Sequence, residues 1–136
     1  MIQDYNDKFS NSQELNGSAI STNILDFGTI SSRIQALVEK GQAEIFVNVE
    51  EVFNTLTSLK IEFRTCANVD CTTDDVELAS LTVLAADLTD GATFRIKLPA
   101  GKYARYNALY YTVGGSNPST GIVSAALVID GQTNGL

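Results

Sequence analysis

YARYNALYYTVGGSNPSTGIVSAALVID, residues 103–130, holds two runs of strict alternation around a turn-rich connector. In the first, Leu109, Tyr111 and Val113 alternate with Ala108, Tyr110 and Thr112. In the second, Val123, Ala125, Leu127 and Ile129 alternate with Ser124, Ala126, Val128 and Asp130. A period of two puts successive side chains on opposite faces of a sheet. The connector from Gly114 to Gly121 is dense in residues that break strands or accept positive φ. The stretch predicts a β-hairpin with one face in a core, and it carries no visible chemistry.

Working outward, the same period recurs. Thr93–Leu98 places Phe94, Ile96 and Leu98 inward, with Arg95 and Lys97 outward. Val76–Leu84 places Ala79, Leu81 and Val83 inward. In Thr57–Thr65, Leu59, Ile61 and Phe63 face in while Lys60, Glu62 and Arg64 face out. In Ala43–Glu50, Ile45, Val47 and Val49 share a face, and Phe46 interrupts the polar side as edge packing or an interface anchor. Ser18–Leu25 is a further strand after the Asn16-Gly17 turn. Between these, Ser31–Gly41 suits a short helix, capped by Ser31 or Ser32 and closed by Gly41; a covering loop is the alternative. Met1–Leu15 has no clean period and reads as an extended arm or a partly ordered lead-in. The expectation is an all-β fold: an antiparallel, jelly-roll-like β-sandwich over residues 16–136, with room for one short helix near residues 31–40 and an arm over residues 1–15.

A chain of 136 residues suits one domain and buries enough surface to need no staple. Nine basic against sixteen acidic residues give a net charge of −7, which disfavours binding to phosphate backbones. No apolar run approaches the roughly 20 residues of a membrane span. MIQDYNDKF lacks the basic start and apolar core of a signal peptide, which predicts no Sec export. The chain has no His, which excludes Ser-His-Asp and Cys-His catalysis and removes the commonest zinc ligand.

Four groupings carry candidate chemistry. Cys66 and Cys71 are spaced C-x4-C, too few thiolates for a four-ligand zinc site; a local disulfide and two free thiols are both open. Asn68, Asp70, Thr72 and Asp74 place oxygens at every second position, as a calcium loop does, but Thr73 stands where Gly is expected and Ala79 where the distal Glu is expected. Asp74, Asp75, Glu77, Asp87 and Asp90 are the acids a glycosidase pair could draw on, without a Trp platform for a sugar. Arg95, Lys97, Lys102 and Arg105 bracket Pro99-Ala100-Gly101 as a basic cluster in an acidic chain, suited to an acidic partner surface or a solvated strand face. No cofactor site is expected.

Met1-Ile2-x-Asp4, Phe9-Ser10 and Gln13 open the chain, followed by Ser21-Thr22-Asn23-Ile24-Leu25-Asp26-Phe27-Gly28, which looks like an S-T-N-x-[IL]-D-x-G run. Pro99-Ala100-Gly101 and Arg105-Tyr106 then precede Tyr111-Thr112-Val113, with Gly121 and Ser124-Ala125-Ala126-Leu127-Val128-Ile129-Asp130 closing the set. In this order the motifs resemble the Bbp16-like capsid cement (decoration) proteins of tailed bacteriophages. The Ser31–Lys40 insert and the Cys66/Cys71 loop depart from that pattern.

The resemblance implies a non-enzymatic virion structural protein. It would sit on the outer surface of an icosahedral capsid and cement neighbouring major capsid protein subunits of the same phage. It implies manufacture in the bacterial host cytoplasm, no nucleic-acid or membrane partner, and a homo-oligomer, dimer or trimer, on the shell. The residues expected to touch the capsid are Ile2, Asp4, Tyr5 and Phe9 in the arm, and Tyr103, Arg105 and Tyr106, since Tyr and Arg are over-represented among interface anchors. The alternative is a carbohydrate- or receptor-binding β-sandwich module of a phage tail or fibre; a carboxylate glycosidase is a third reading.

Overall fold

Alternating apolar residues form two facing antiparallel sheets in the computed structural model, which describes residues 8–27, 36, 38–69, 71, 75–101 and 103–129. The strands among them are β1 (Lys8–Glu14), β2 (Ala19–Ile20), β3 (Leu25–Asp26), β4 (Ala43–Glu51), β5 (Leu56–Cys66), β6 (Asp75–Leu84), β7 (Thr93–Lys97), β8 (Tyr106–Gly115) and β9 (Ile122–Ile129). One sheet runs β1-β9-β4-β7; the other runs β2-β8-β5-β6, with β3 also on β8. Taking β2 and β3 as one interrupted strand, this is the eight-strand jelly roll, in which most connections cross between sheets.

That topology corrects the hairpin expected over residues 103–130. β8 pairs with β5, β2 and β3, whereas β9 pairs with β1 and β4 in the opposite sheet. Alternation reports which face a side chain takes and nothing about the partner strand. The glycine-rich connector is a crossing between layers, turned by Gly115 at φ 82° and Gly121 at φ 145°. Among the described strands, β5 and β6 are the sequential pair bonded to each other.

The core sits between the layers as the periods predict. Ile45, Val47 and Val49 of β4 and Val123, Ala125 and Leu127 of β9 meet Leu59, Ile61 and Phe63 of β5 and Leu109 and Tyr111 of β8, all buried. Phe63 is the junction, with Phe9 edge-on at 5.9 Å and Tyr103 at 5.8 Å between centroids.

The arm expected over residues 1–15 is, from Lys8 to Glu14, an edge strand of the sandwich. Its period is hidden by two register shifts against β9 and by Ser12 at φ 54°. Phe9 is fully buried and belongs to the core; it is not available as a shell contact. The strand expected over Ser18–Leu25 is broken into β2 and β3 at Ser21. There the Leu109 N–H donates to Ser21 Oγ at 3.1 Å while the Ser21 N–H donates to Leu109 O at 2.8 Å. Of the helix near residues 31–40, the described part is its end: the Lys40 N–H donates to Ala36 O, and Gly41 at φ 79° closes it through Val38 O. The rest of that stretch lies outside the described residues.

Candidate interaction surface

The polar motif residues near the chain start form a buried network. The Ser10 hydroxyl donates to Gln13 Oε1 at 2.6 Å, which also accepts the Thr22 N–H at 3.1 Å; Gln13 Nε2 donates to Ile20 O at 3.0 Å. Since the Ser10 proton goes to Gln13, the Tyr111 hydroxyl is the donor in its 2.7 Å contact with Ser10 Oγ. Burial pushes the Tyr111 phenol well above the usual tyrosine range, so it stays a donor at any physiological pH. Asn23 Nδ2 donates to Lys8 O at 2.7 Å, and the Asn23 N–H to Phe9 O at 2.9 Å. Ser10, Gln13, Thr22 and Asn23 thus tie β1 of one sheet to β2 and the segment after it in the other, while Ser21 fixes that segment to β8. Their role is to hold the sandwich edge, and polar spacing alone gave no sign of it.

The outer face of β5 carries an ionic lattice. Glu62 is buried between Lys60 and Arg64, accepting from Arg64 Nε at 3.0 Å and lying 3.3 Å from Lys60 Nζ. Arg64 also bonds Asp75 and lies 4.2 Å above the Tyr110 ring, while Lys60 reaches Glu77 at 3.5 Å. Burial pushes the Glu62 carboxyl up, but hydrogen bonds from Arg64 and Lys60 outweigh it and hold the group below the usual carboxylate range. On the other sheet, the Ser124 hydroxyl and then the Ser12 hydroxyl donate to Glu50 and lower it too. A carboxylate whose folded pKa is depressed stabilises the fold fully above its unfolded value, and that contribution is lost as pH falls through the folded pKa. The urea midpoint should therefore hold from pH 7 to about 4.5 and then fall; the fall should be shallower in Glu62→Gln.

The candidate contact residues divide. Tyr103 is largely structural: its ring stacks on Phe27 at 6.0 Å, its hydroxyl donates to Pro99 O at 2.5 Å, and burial pushes its pKa up to about 12. Arg105 and Tyr106 remain at the surface. Arg105 holds Asp26 through Nε at 2.8 Å and Nη2 at 3.0 Å, with its guanidinium 5.2 Å from the Tyr106 ring. Ile2, Asp4 and Tyr5 lie outside the described residues. The basic cluster around Pro99 is not one patch: Arg95 on β7 pairs with Glu44 of one sheet, and Arg105 pairs with Asp26 of the other. Lys102 lies outside the described residues.

Phe46 is half-buried on the outer face of β4, with Arg95 over its ring at 5.1 Å. Beside it, Lys8, Ser10, Asn48, Ser124, Ala125 and Ala126 complete a hollow of about 90 Å³, well below the ~300 Å³ at which small-molecule pockets begin.

Cys66 and Cys71 are joined in a disulfide, with Cα atoms 5.2 Å apart. Both are buried with Ala108 on the outer face of the β8 sheet, under Ile20, Ile24 and Tyr106. Tyr110 donates its hydroxyl to Cys71 O. The bridge closes so few residues that reducing it should cost about 2 kcal/mol, with the sandwich intact. Denaturation with and without reductant checks this.

Of the calcium candidates, Asn68 is described, whereas Asp70, Thr72 and Asp74 lie outside the described residues. Among the described residues no group of His, Cys, Asp or Glu is placed to hold a metal ion. Of the glycosidase candidates, Asp74 lies outside the described residues. Asp75 and Glu77 are ion-paired on β6, and Asp90 accepts the Val52 N–H at 2.6 Å.

No curated protein matches the chain. Residues 9–127 match the model of the Bbp16 family, a span that runs from the buried Phe9 of β1 to Leu127 of β9 and so takes in every strand of both sheets. The chain belongs to the Bbp16 family, a phage-associated family.

Proposed function

We propose that the protein is a non-enzymatic component of a phage virion that binds the outer surface of the icosahedral capsid and cements contacts between major capsid protein subunits. The observation that carries this reading is the Bbp16 match across the whole sandwich. The placement of the motif residues supports it. Ser10, Gln13, Ser21 and Asn23 are taken up inside the fold, whereas Arg105, held in place by Asp26, and the outer side of Tyr106 stay accessible to a protein partner. The acidic net charge suits an outer face, away from packaged nucleic acid. On the shell the protein would act as a homo-oligomer. It would be made in the host cytoplasm, folding before its disulfide closes.

The test is add-back of purified protein to mature, emptied capsids that lack it, followed by sedimentation. Saturable co-sedimentation is expected, and Tyr106→Ala and Arg105→Ala should each weaken it by about tenfold or more, with the melting temperature close to wild type for Arg105→Ala and lowered for Tyr106→Ala, whose ring covers the buried bridge. Truncation through Asp7 probes Ile2, Asp4 and Tyr5 while sparing Phe9. No binding to capsids, together with retained binding to cell-surface glycans, would overturn the proposal in favour of a receptor-binding module.

A further inference from the structure

The end of β5 is fastened to a buried spot outside the core between the sheets. Cys66, the last residue of β5, and Cys71 are both fully buried, although Ala67, Asn68 and Val69 between them are exposed. The chain therefore leaves the sheet and returns to it within five residues. There the two cysteines lie with Ala108 of β8, and Ile20, Ile24 and Tyr106 pack around them as a small apolar cluster of their own.

Cys71 sits at φ 55°, a left-handed conformation that L side chains resist. Its N–H donates to Asn68 O at 3.0 Å, and its carbonyl accepts the Tyr110 hydroxyl. Two such hydrogen bonds return about as much as the backbone conformation costs. The bridge then decides whether Cys71 stays on the sheet. The same spot adjoins the candidate contact residues. Cys66 stands opposite Tyr106 in the register of β5 with β8. Tyr106 packs against the bridge and meets the Arg105 guanidinium. Tyr110 lies between Cys71 O and the Arg64 guanidinium, which also bonds Asp75. Release of Cys71 therefore takes the support from Tyr106 and that acceptor from Tyr110 together.

We propose that the Cys66–Cys71 bridge is a redox lock on the Arg105–Tyr106 surface, open in a reducing cytoplasm and closed once the particle reaches an oxidising medium. Closure breaks two S–H bonds and forms one S–S bond. The two protons and two electrons pass to an external oxidant, dioxygen, which becomes hydrogen peroxide. The reduced chain adds to a shell with Tyr106 unsupported and leaves it readily; oxidation after release of the particle fixes the contact. The lock rests on the proposed function for its partner, and its first test is made on the free chain, so the two fail separately.

Nuclear magnetic resonance of the full chain, oxidised and then reduced with a phosphine, reads the lock directly and needs no variant to fold. Reduction should shift and broaden the Tyr106 and Tyr110 resonances and leave those of Phe46 and Asn48, beside the hollow on the other sheet, in place. Release from emptied capsids should be about tenfold faster for the reduced chain, since affinity differences between related complexes fall mostly on dissociation. Cys66→Ala/Cys71→Ala should match the reduced chain in both measurements and ignore the phosphine, which separates the lock from any effect of reductant on the shell. Unmoved Tyr106 and Tyr110 resonances, or equal release rates for the oxidised and reduced chain, overturn the lock. If neither form binds capsids, the proposed function fails and the resonances alone decide the lock.

Discussion

Phe63→Ala is expected to destabilise the protein by about 3–5 kcal/mol, read as a fall in the urea midpoint. Phe63 is fully buried on β5, and its ring is shared by two elements far apart in sequence. Phe9 meets it edge-on from β1, with the planes 87° apart; Tyr103 meets it from the loop before β8, with the planes 61° apart. Such aromatic pairs contribute about 0.5–1.5 kcal/mol each beyond the area they bury. The loss should therefore exceed that of Ile61→Ala, a buried residue on the same face that stands opposite Tyr111 but has no ring of its own to pair. Tyr103 precedes Arg105 and Tyr106, so a folded Phe63→Leu variant should also loosen that surface, seen as faster exchange at Arg105 and Tyr106. Equal losses for Phe63→Ala and Ile61→Ala would contradict the junction role.

Gly121→Ala should be nearly as costly, although it adds one methyl group. A Cβ at this position would lie 2.7 Å from Cγ of Phe53 and closer still to Cδ2 and Cε2. Forcing the buried Phe53 ring aside costs about 1–3 kcal/mol, as overpacking does. The φ of 145° is one that L side chains rarely adopt, and holding it adds about 1–3 kcal/mol. The segment has little room to relax. Gly121 O accepts the Leu15 N–H at 3.0 Å, and the Gly121 N–H donates to Glu51 at 3.2 Å, so the crossing from β8 to β9 is tied to β1 and β4. Phe53→Ala removes the clash and leaves the backbone strain. The double variant should then lose less than the sum of the two single variants. Strict additivity would mean that the ring does not confine Gly121.

The inward faces of the long strands were legible from their period alone: Ile45, Val47 and Val49; Leu59, Ile61 and Phe63; Val123, Ala125 and Leu127. What alternation does not encode is the partner. The connector between Val113 and Val123 has the composition of a hairpin turn, and it carries the chain across to the other sheet. β1 was illegible because its bulges break the period, and its Ser10 and Gln13 read as polar arm residues until Tyr111 is placed beside them. The basic residues around Pro99 were close in sequence but divided by the same crossing topology. At the candidate surface, Arg105 and Tyr106 could be named from residue type. The demand that Phe63 and Phe27 make on Tyr103 could not, since all three come from separate strands and loops.

The proposed stabilisation of a shell is tested by the disruption temperature of emptied mature capsids with and without the purified protein added back to saturation. Decorated particles should show a higher disruption temperature, rising with occupancy and returning to the bare value when the protein is washed off. Saturable binding that leaves the disruption temperature where it was in bare capsids would contradict it.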